Sequence, residues 1–364
     1  MKVAVITRHA ITNYGSLLQA YATQEAIENL GHSCEIIDYI RNDESYKEHE
    51  KTLLKRKPNW YKNPVKRYLY LALRQPESIA AGKKFEKERT SLLNLTKLYD
   101  SPEMIKHDPP KADIYVTGSD QVWGPIENGE YDSSYLLSFT NARKISYAAS
   151  FGRTETNAAL NEYFKKWLGE YNCISVREDS AVELLSKMGF SAKQVLDPTL
   201  LFDSSFWNKL TSKINDKKYV LVYQLHNDQK LGEYAKKVAK EKGIPLIRIS
   251  ASFHQIFRPG KFRWCPSIGE FLSYIKNAEC MITDSFHGTA FAINFNTQFV
   301  EVLPNNKTGT RNISILKMTG LSNRIANNYD LSVSREWIDF SEANKALEIE
   351  RKKSIQILNE MLVE

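Results

Sequence analysis

Cysteine is scarce in this sequence and falls without pattern. Its 364 residues include four cysteines, Cys34, Cys173, Cys265 and Cys280, with no CxxC pair. Such scatter indicates neither a zinc knuckle nor a disulfide framework. It predicts reduced thiols. Long apolar runs are missing too, and none approaches the roughly 20 residues that a membrane helix needs. The chain begins directly on a strand, Lys2 to Thr7, so no signal peptide and a cytoplasmic location are expected. Several signatures of nucleotide, metal and nucleophile chemistry are absent: GxGxxG, GxxxxGK followed by Ser or Thr, HExxH, DxD and GxSxG. The Rossmann fingerprint is therefore excluded, and Asp38 makes no persuasive ribose-reading acid. There is no internal repeat, no low-complexity tract and no recognisable nucleic-acid module.

What is present is an ordinary globular composition, 42% hydrophobic and 26% charged, with a formal net charge of +7. That charge suits an acidic small molecule, an anionic membrane surface or nucleic acid, and does not choose among them. The length exceeds what one hydrophobic core usually serves, so two domains are expected. Val3-Ala4-Val5-Ile6 reads as a buried parallel strand. A helical pattern follows from Leu17 to Leu30, with Gly31 as its C-terminal cap, then a strand Cys34 to Tyr39. This strand–helix alternation predicts about six strands before residue 200. The polar segment Thr211 to Lys218 reads as a linker, and a second alternation begins at Tyr219.

The expected organisation is an N-terminal α/β domain over residues 1–210 and a C-terminal α/β domain over 219–330. A helical segment over 331–364 is expected to pack back across both. The fold class is α/β: two doubly wound, Rossmann-like domains facing across a cleft. A helical insertion over about 46–90 interrupts the first domain. From Tyr46 to Arg89 it carries thirteen basic residues against five acids, with Trp60, Tyr61, Tyr68 and Tyr70 interleaved. One reading is a solvated helical face. The other is a docking surface for anionic lipid, at the inner membrane face, or for a polyprenyl diphosphate-linked acceptor.

The most informative stretch is Ile282-Thr283-Asp284-Ser285-Phe286-His287-Gly288-Thr289. An apolar run ends in hydroxyl residues, then comes one histidine, a glycine and a second apolar run. That is a buried strand turning into a helix, the position at which open α/β sheets bind ligands. A helix N-terminus seats phosphate or carboxylate, and histidine titrates near neutral pH. His287 is thus a candidate for acid/base chemistry or anion binding, with Ser285 and Thr289 as cap hydroxyls and Gly288 beside them. Asn13-Tyr14-Gly15-Ser16 forms a second strand-to-helix turn that could present backbone N–H groups. In Gly118-Ser119-Asp120-Gln121-Val122-Trp123, Asp120 could orient a sugar hydroxyl or take its proton, and Trp123 could stack on a sugar; a helix cap and a core tryptophan are the structural alternatives. Arg177 ends a strand and wants an anion or an acidic partner such as Glu178. Arg311 precedes a helix and could grip phosphate or carboxylate. Arg248, Arg258 and Arg263 are further cations in less definite positions.

Taken in order, six motifs resemble the polysaccharide pyruvyl transferase family from the start of the chain to about Arg324. They are Asn13-Tyr14-Gly15-Ser16 with Leu18-Gln19-Ala20-Tyr21, Gly118-Ser119-Asp120-Gln121-Val122-Trp123, Tyr147-Ala148-Ala149-Ser150-Phe151-Gly152, Ser175-Val176-Arg177-Glu178, Asp197-Pro198-Thr199 and Thr283-Asp284-Ser285-Phe286-His287-Gly288-Thr289. Arg311 and Arg324, on either side of Gly320-Leu321, belong with them. The resemblance implies a GT-B-like fold, with phosphoenolpyruvate as donor on the 219–330 domain and the acceptor on the 1–210 domain. It implies a sugar of a cell-surface polysaccharide, such as capsule or exopolysaccharide, as acceptor. The product would be a pyruvate ketal, with phosphate released and no cofactor or metal required. Some members have arginine two places before the histidine, where this chain has Ser285. Arg177 and Arg311 are the cations expected to hold the phosphate instead. The alternatives are a GT-B glycosyltransferase using a nucleotide sugar and an inactive glycan-assembly binding protein.

Overall fold

Val3, Ala4, Val5 and Ile6 are fully buried in strand β1 (Lys2–Ile6). Apolar on both faces, that strand can only sit inside a sheet covered by helices on either side. The computed structural model describes residues 1–126, 129–304 and 309–363. β1 pairs in parallel with β2 (Ser33–Ile36) on one edge and with β3 (Ile114–Thr117) on the other. β4 (Arg143–Ala149), β5 (Cys173–Val176) and β6 (Lys193–Gln194) complete a six-stranded sheet in the order β2-β1-β3-β4-β5-β6. Six strands before residue 200 is the expected number. The chain runs outward from β1 to β2 and returns to the other side at β3, so the switch point of this sheet lies between β1 and β3.

The second sheet comprises β7 (Val220–Tyr223), β8 (Leu246–Ser250), β9 (Lys261–Trp264), β10 (Cys280–Thr283) and β11 (Phe299–Glu301), all parallel, in the order β11-β10-β7-β8-β9. Its switch point lies between β7 and β10. Gly243 takes φ +64 and closes the helix Gln229–Lys242.

The chain divides into two compact units, Met1–Pro198 with Ile357–Glu364, and Thr199–Gln356. The division falls at Pro198, so the polar segment 211–218 expected as a linker lies inside the second unit. The C-terminal helix Ser341–Val363 begins with the second unit, and its last turns belong to the first. There Arg143 donates to the carbonyls of Met361 and Leu362. No helix among the described residues is long and apolar enough to cross a membrane.

Candidate functional site

In the second unit the turn after β10 forms as its residue types dictate. Ser285 takes extended backbone and caps the helix Phe286–Asn294 by accepting from Gly288 N (3.3 Å). Its own amide donates to Thr283 Oγ1 (3.1 Å), and that hydroxyl donates to Tyr223 O of β7 (2.7 Å). Asp284, buried, accepts from the amides of Leu225 (2.7 Å) and His226 (2.9 Å), with His226 Nδ1 3.2 Å away. The carboxyl ends of β7 and β10 are therefore tied together at the switch point. Gly288 is required there for space. A Cβ would stand 2.6 Å from Thr283 Oγ1 and 3.1 Å from Tyr223 Cδ1.

His287 occupies the first turn of that helix and is nearly buried. Its ring meets Phe286 edge-on at 5.1 Å, and the Arg311 guanidinium lies 5.8 Å over the same Phe286 ring. Two residues far apart in sequence thus share one aromatic neighbour. Arg311 lies in the first turn of the helix Thr310–Met318. Arg311 and the helix N-terminus supply positive potential suited to a small anion, with His287 beside them.

Thr289 donates to Ser285 O (3.1 Å) and to the carboxyl of Glu301, which also accepts from Asn312 Nδ2 (2.7 Å). Glu301 is fully buried at the end of β11. Burial pushes its carboxyl up to about 8, the Asp284 charge adds to the rise, and the bonds from Thr289 and Asn312 oppose it. The folded protein therefore binds this proton more tightly than the unfolded chain does. The associated stability is complete below the ordinary glutamate value and is lost as pH rises through about 8. We expect the wild-type melting temperature to fall from about pH 5 to about pH 9, and Glu301→Gln to flatten that fall. Parallel curves for the two proteins would refute the assignment.

The first unit's switch point carries a different chemistry. Asn13 caps the helix Tyr14–Asn29 by accepting from Gly15 N (2.9 Å). Ser16 Oγ in its first turn donates to Asp120 Oδ2 (2.6 Å). Asp120 follows β3 with φ +73, and Ala148 of β4 has φ +54. Both backbones are left-handed, and Ala148 lies where the β4–β5 register shifts. Backbone strain of this kind gathers at functional sites.

Arg177 is buried against three carboxylates: Asp197 at 2.9 Å, Glu178 at 3.4 Å and Asp120 at 3.6 Å. Burial alone would weaken its charge, but Asp197, Glu178 and Asp120 outweigh it and hold the guanidinium charged. Ser150 Oγ donates to Glu178 (2.6 Å) and Ser119 Oγ to Asp197 (2.8 Å). Arg177, expected as a phosphate ligand, is here the centre of an internal ion cluster. It donates hydrogen bonds to Asp197 and Ser119, and Asp120 is the most distant of the three carboxylates.

One further expectation changes. Trp123 is 1% exposed and packs on Phe151 (5.0 Å) and Tyr171 (6.5 Å) inside the core, so its ring faces are closed to a sugar. Tyr14 is likewise buried, with its ring 4.8 Å from Phe85. Gly15, also buried, lies in the same helical turn as Ser16. Asp38 is engaged by His9 (3.2 Å) and Arg89. Burial alone would raise its carboxyl, but these partners hold it below the usual range. The sequence reading missed Arg8, which donates to Glu44 (2.7 Å). Burial opposes its charge, and Glu44 and then Asp120 outweigh the burial. His226 and Glu301 were missed as well. Arg8, His226 and Glu301 all stand at or just beyond strand carboxyl ends, and that position was the available signal.

Two parallel α/β sheets, each with a polar turn at its switch point, define a protein of the GT-B-like class. The chain belongs to the polysaccharide pyruvyl transferase family, whose family model matches residues 13–307. Among solved structures it is similar to UDP-N-acetylglucosamine 2-epimerase from Rickettsia bellii, at 11% identity and a TM-score of 0.50, over 98% of this chain and 96% of that one. It is also similar to a putative UDP-N-acetylglucosamine 2-epimerase from Listeria monocytogenes, at 11% identity and a TM-score of 0.49, over 97% of each chain. A third likeness is to the glycosyltransferase SnogD from Streptomyces nogalater, at 9% identity and a TM-score of 0.42, over 100% of this chain and 98% of that one. At such identities a likeness concerns the fold alone. No curated protein matches the chain.

Proposed function

We propose that this protein transfers the pyruvyl group of phosphoenolpyruvate to two hydroxyls of a sugar in a cell-surface polysaccharide or its lipid-linked precursor. The observation that carries the reading is membership of the pyruvyl transferase family over a span that includes both polar turns. The donor brings phosphate and carboxylate charge. His287, Arg311 and the N-terminus of the helix Phe286–Asn294 are the groups suited to meet it.

In the step, a proton adds to the donor methylene carbon, which becomes a methyl group, and the adjacent carbon becomes oxocarbenium-like. One acceptor hydroxyl adds to that carbon, phosphate leaves, and the second hydroxyl closes the ketal. Of the two hydroxyl protons, one balances the proton given to carbon and the other leaves with phosphate. His287 serves as the proton donor or as the phosphate ligand. Asp120 takes a proton from an acceptor hydroxyl, held in place by Ser16.

The test incubates purified protein with phosphoenolpyruvate and candidate acceptor glycans. Phosphate release and a pyruvyl mass addition on the glycan are expected, together with a thermal shift by phosphoenolpyruvate. Stabilisation by a nucleotide sugar, with glycosyl transfer and no phosphate release from phosphoenolpyruvate, would overturn the reading.

A further inference from the structure

The helix Pro64–Leu92 has two faces, and among the described residues only one of them is packed against the rest of the chain. Its inward face buries Ala81, Gly82, Phe85 and Arg89. Tyr70 donates to Glu50 (2.9 Å) on the same side. The outward face is the reverse of what solvent favours. Val65 is 74% exposed, Tyr68 77%, Leu69 49% and Leu73 70%, and Ala72 and Pro76 are exposed between and beyond them. Positions 65, 68, 69, 72, 73 and 76 fall on one side of a 3.6-residue helix. They make a stripe about 17 Å long. Trp60 and Tyr61, on the short helix Pro58–Tyr61 just before it, are exposed as well. Beyond Pro76 the outward positions become Lys83 and Lys87.

The charge around this stripe is mostly positive, although Arg74 pairs with Glu50 and Glu77 on its flanks. Residues 51–76 contain eight cations, Lys51, Lys55, Arg56, Lys57, Lys62, Lys66, Arg67 and Arg74, and no acid. Contiguous exposed apolar surface of this kind marks an interaction site. A second copy of the same face would bring like charges together, which disfavours self-association. A bilayer with anionic head groups satisfies both features. Apolar side chains enter the acyl boundary, the tyrosines and Trp60 sit at head-group level, and the lysines meet lipid phosphate. We propose that the outward face of this helix docks the protein on an anionic lipid membrane, with the helix lying in the interface plane.

The test is flotation of the full chain with phosphatidylcholine vesicles that contain or lack phosphatidylglycerol. Binding is expected to the anionic vesicles and to weaken with salt. Leu69→Glu with Leu73→Glu is expected to abolish it, and Lys62→Glu with Lys66→Glu to weaken it by more than ~10-fold. All four side chains project into solvent, so melting temperatures and phosphate release from phosphoenolpyruvate in solution should stay at wild-type values. The proposal falls if anionic vesicles are not bound, or if the leucine double variant still binds them. It falls equally if light scattering finds a dimer that Leu73→Glu dissociates, because a second copy then covers the face.

Discussion

His287→Ala is expected to lower phosphate release from phosphoenolpyruvate by roughly 10²–10⁴-fold, the usual contribution of a positioned acid or base. The expectation rests on placement. His287 lies in the first turn of a helix at the switch point of its sheet, and Arg311 joins it through the Phe286 ring. Removing the imidazole leaves the turn intact, because Ser285 still caps the helix, Asp284 still ties it to residues 225 and 226, and Gly288 still fits against Thr283. A second variant, His287→Gln, divides the two roles. Loss of an acid lowers kcat at nearly constant KM for the donor, whereas loss of a phosphate ligand raises KM first. Release by His287→Ala within a few-fold of wild type removes His287 from the chemistry altogether.

The turn was legible because each of its residues has one local job. Three apolar residues and a threonine make a buried strand, a serine caps, a glycine permits close approach, and the structure places β10 at Cys280–Thr283. β9 was not legible. Lys261-Phe262-Arg263-Trp264 alternates charged and aromatic residues at the edge of its sheet, where one side is open and no apolar run is needed. Arg177 shows a limit of another kind. The sequence placed it correctly at a strand end next to Glu178, but Asp197 and Asp120 reach it through the fold from twenty and fifty-seven positions away. No local pattern records that convergence, and three carboxylates change a phosphate ligand into the centre of an ion cluster. Trp123 failed for the matching reason. A tryptophan after a strand serves a sugar or a core equally well, and only its burial against Phe151 decides. Glu301 gave no sign at all, because a carboxylate at the end of a short apolar strand becomes informative only once Thr289 and Asn312 are seen to converge on it.

Asp120→Asn is expected to lower transfer to the sugar by roughly 10²–10⁴-fold while leaving phosphoenolpyruvate binding near wild type. Asparagine has the shape of aspartate and also tolerates the left-handed backbone that this position requires at φ +73. The fold should therefore survive, and the variant loses chiefly the ability to take a proton. Arg177 keeps Asp197 and Glu178 as counter-charges in the variant, so the ion cluster persists. Ser16→Ala provides the comparison. It removes the 2.6 Å bond that orients Asp120 without removing the carboxylate, so its effect should be smaller than that of Asp120→Asn. The left-handed backbones at Asp120 and Ala148 each cost about 1–3 kcal/mol, and such strain persists only where the surrounding structure enforces it. A purely structural partner for Arg177 would not need that cost, since Asp197 and Glu178 already supply the charge. If Asp120→Asn transfers pyruvate within a few-fold of wild type, proton removal is not its task, and the strained turn serves only to complete the Arg177 cluster.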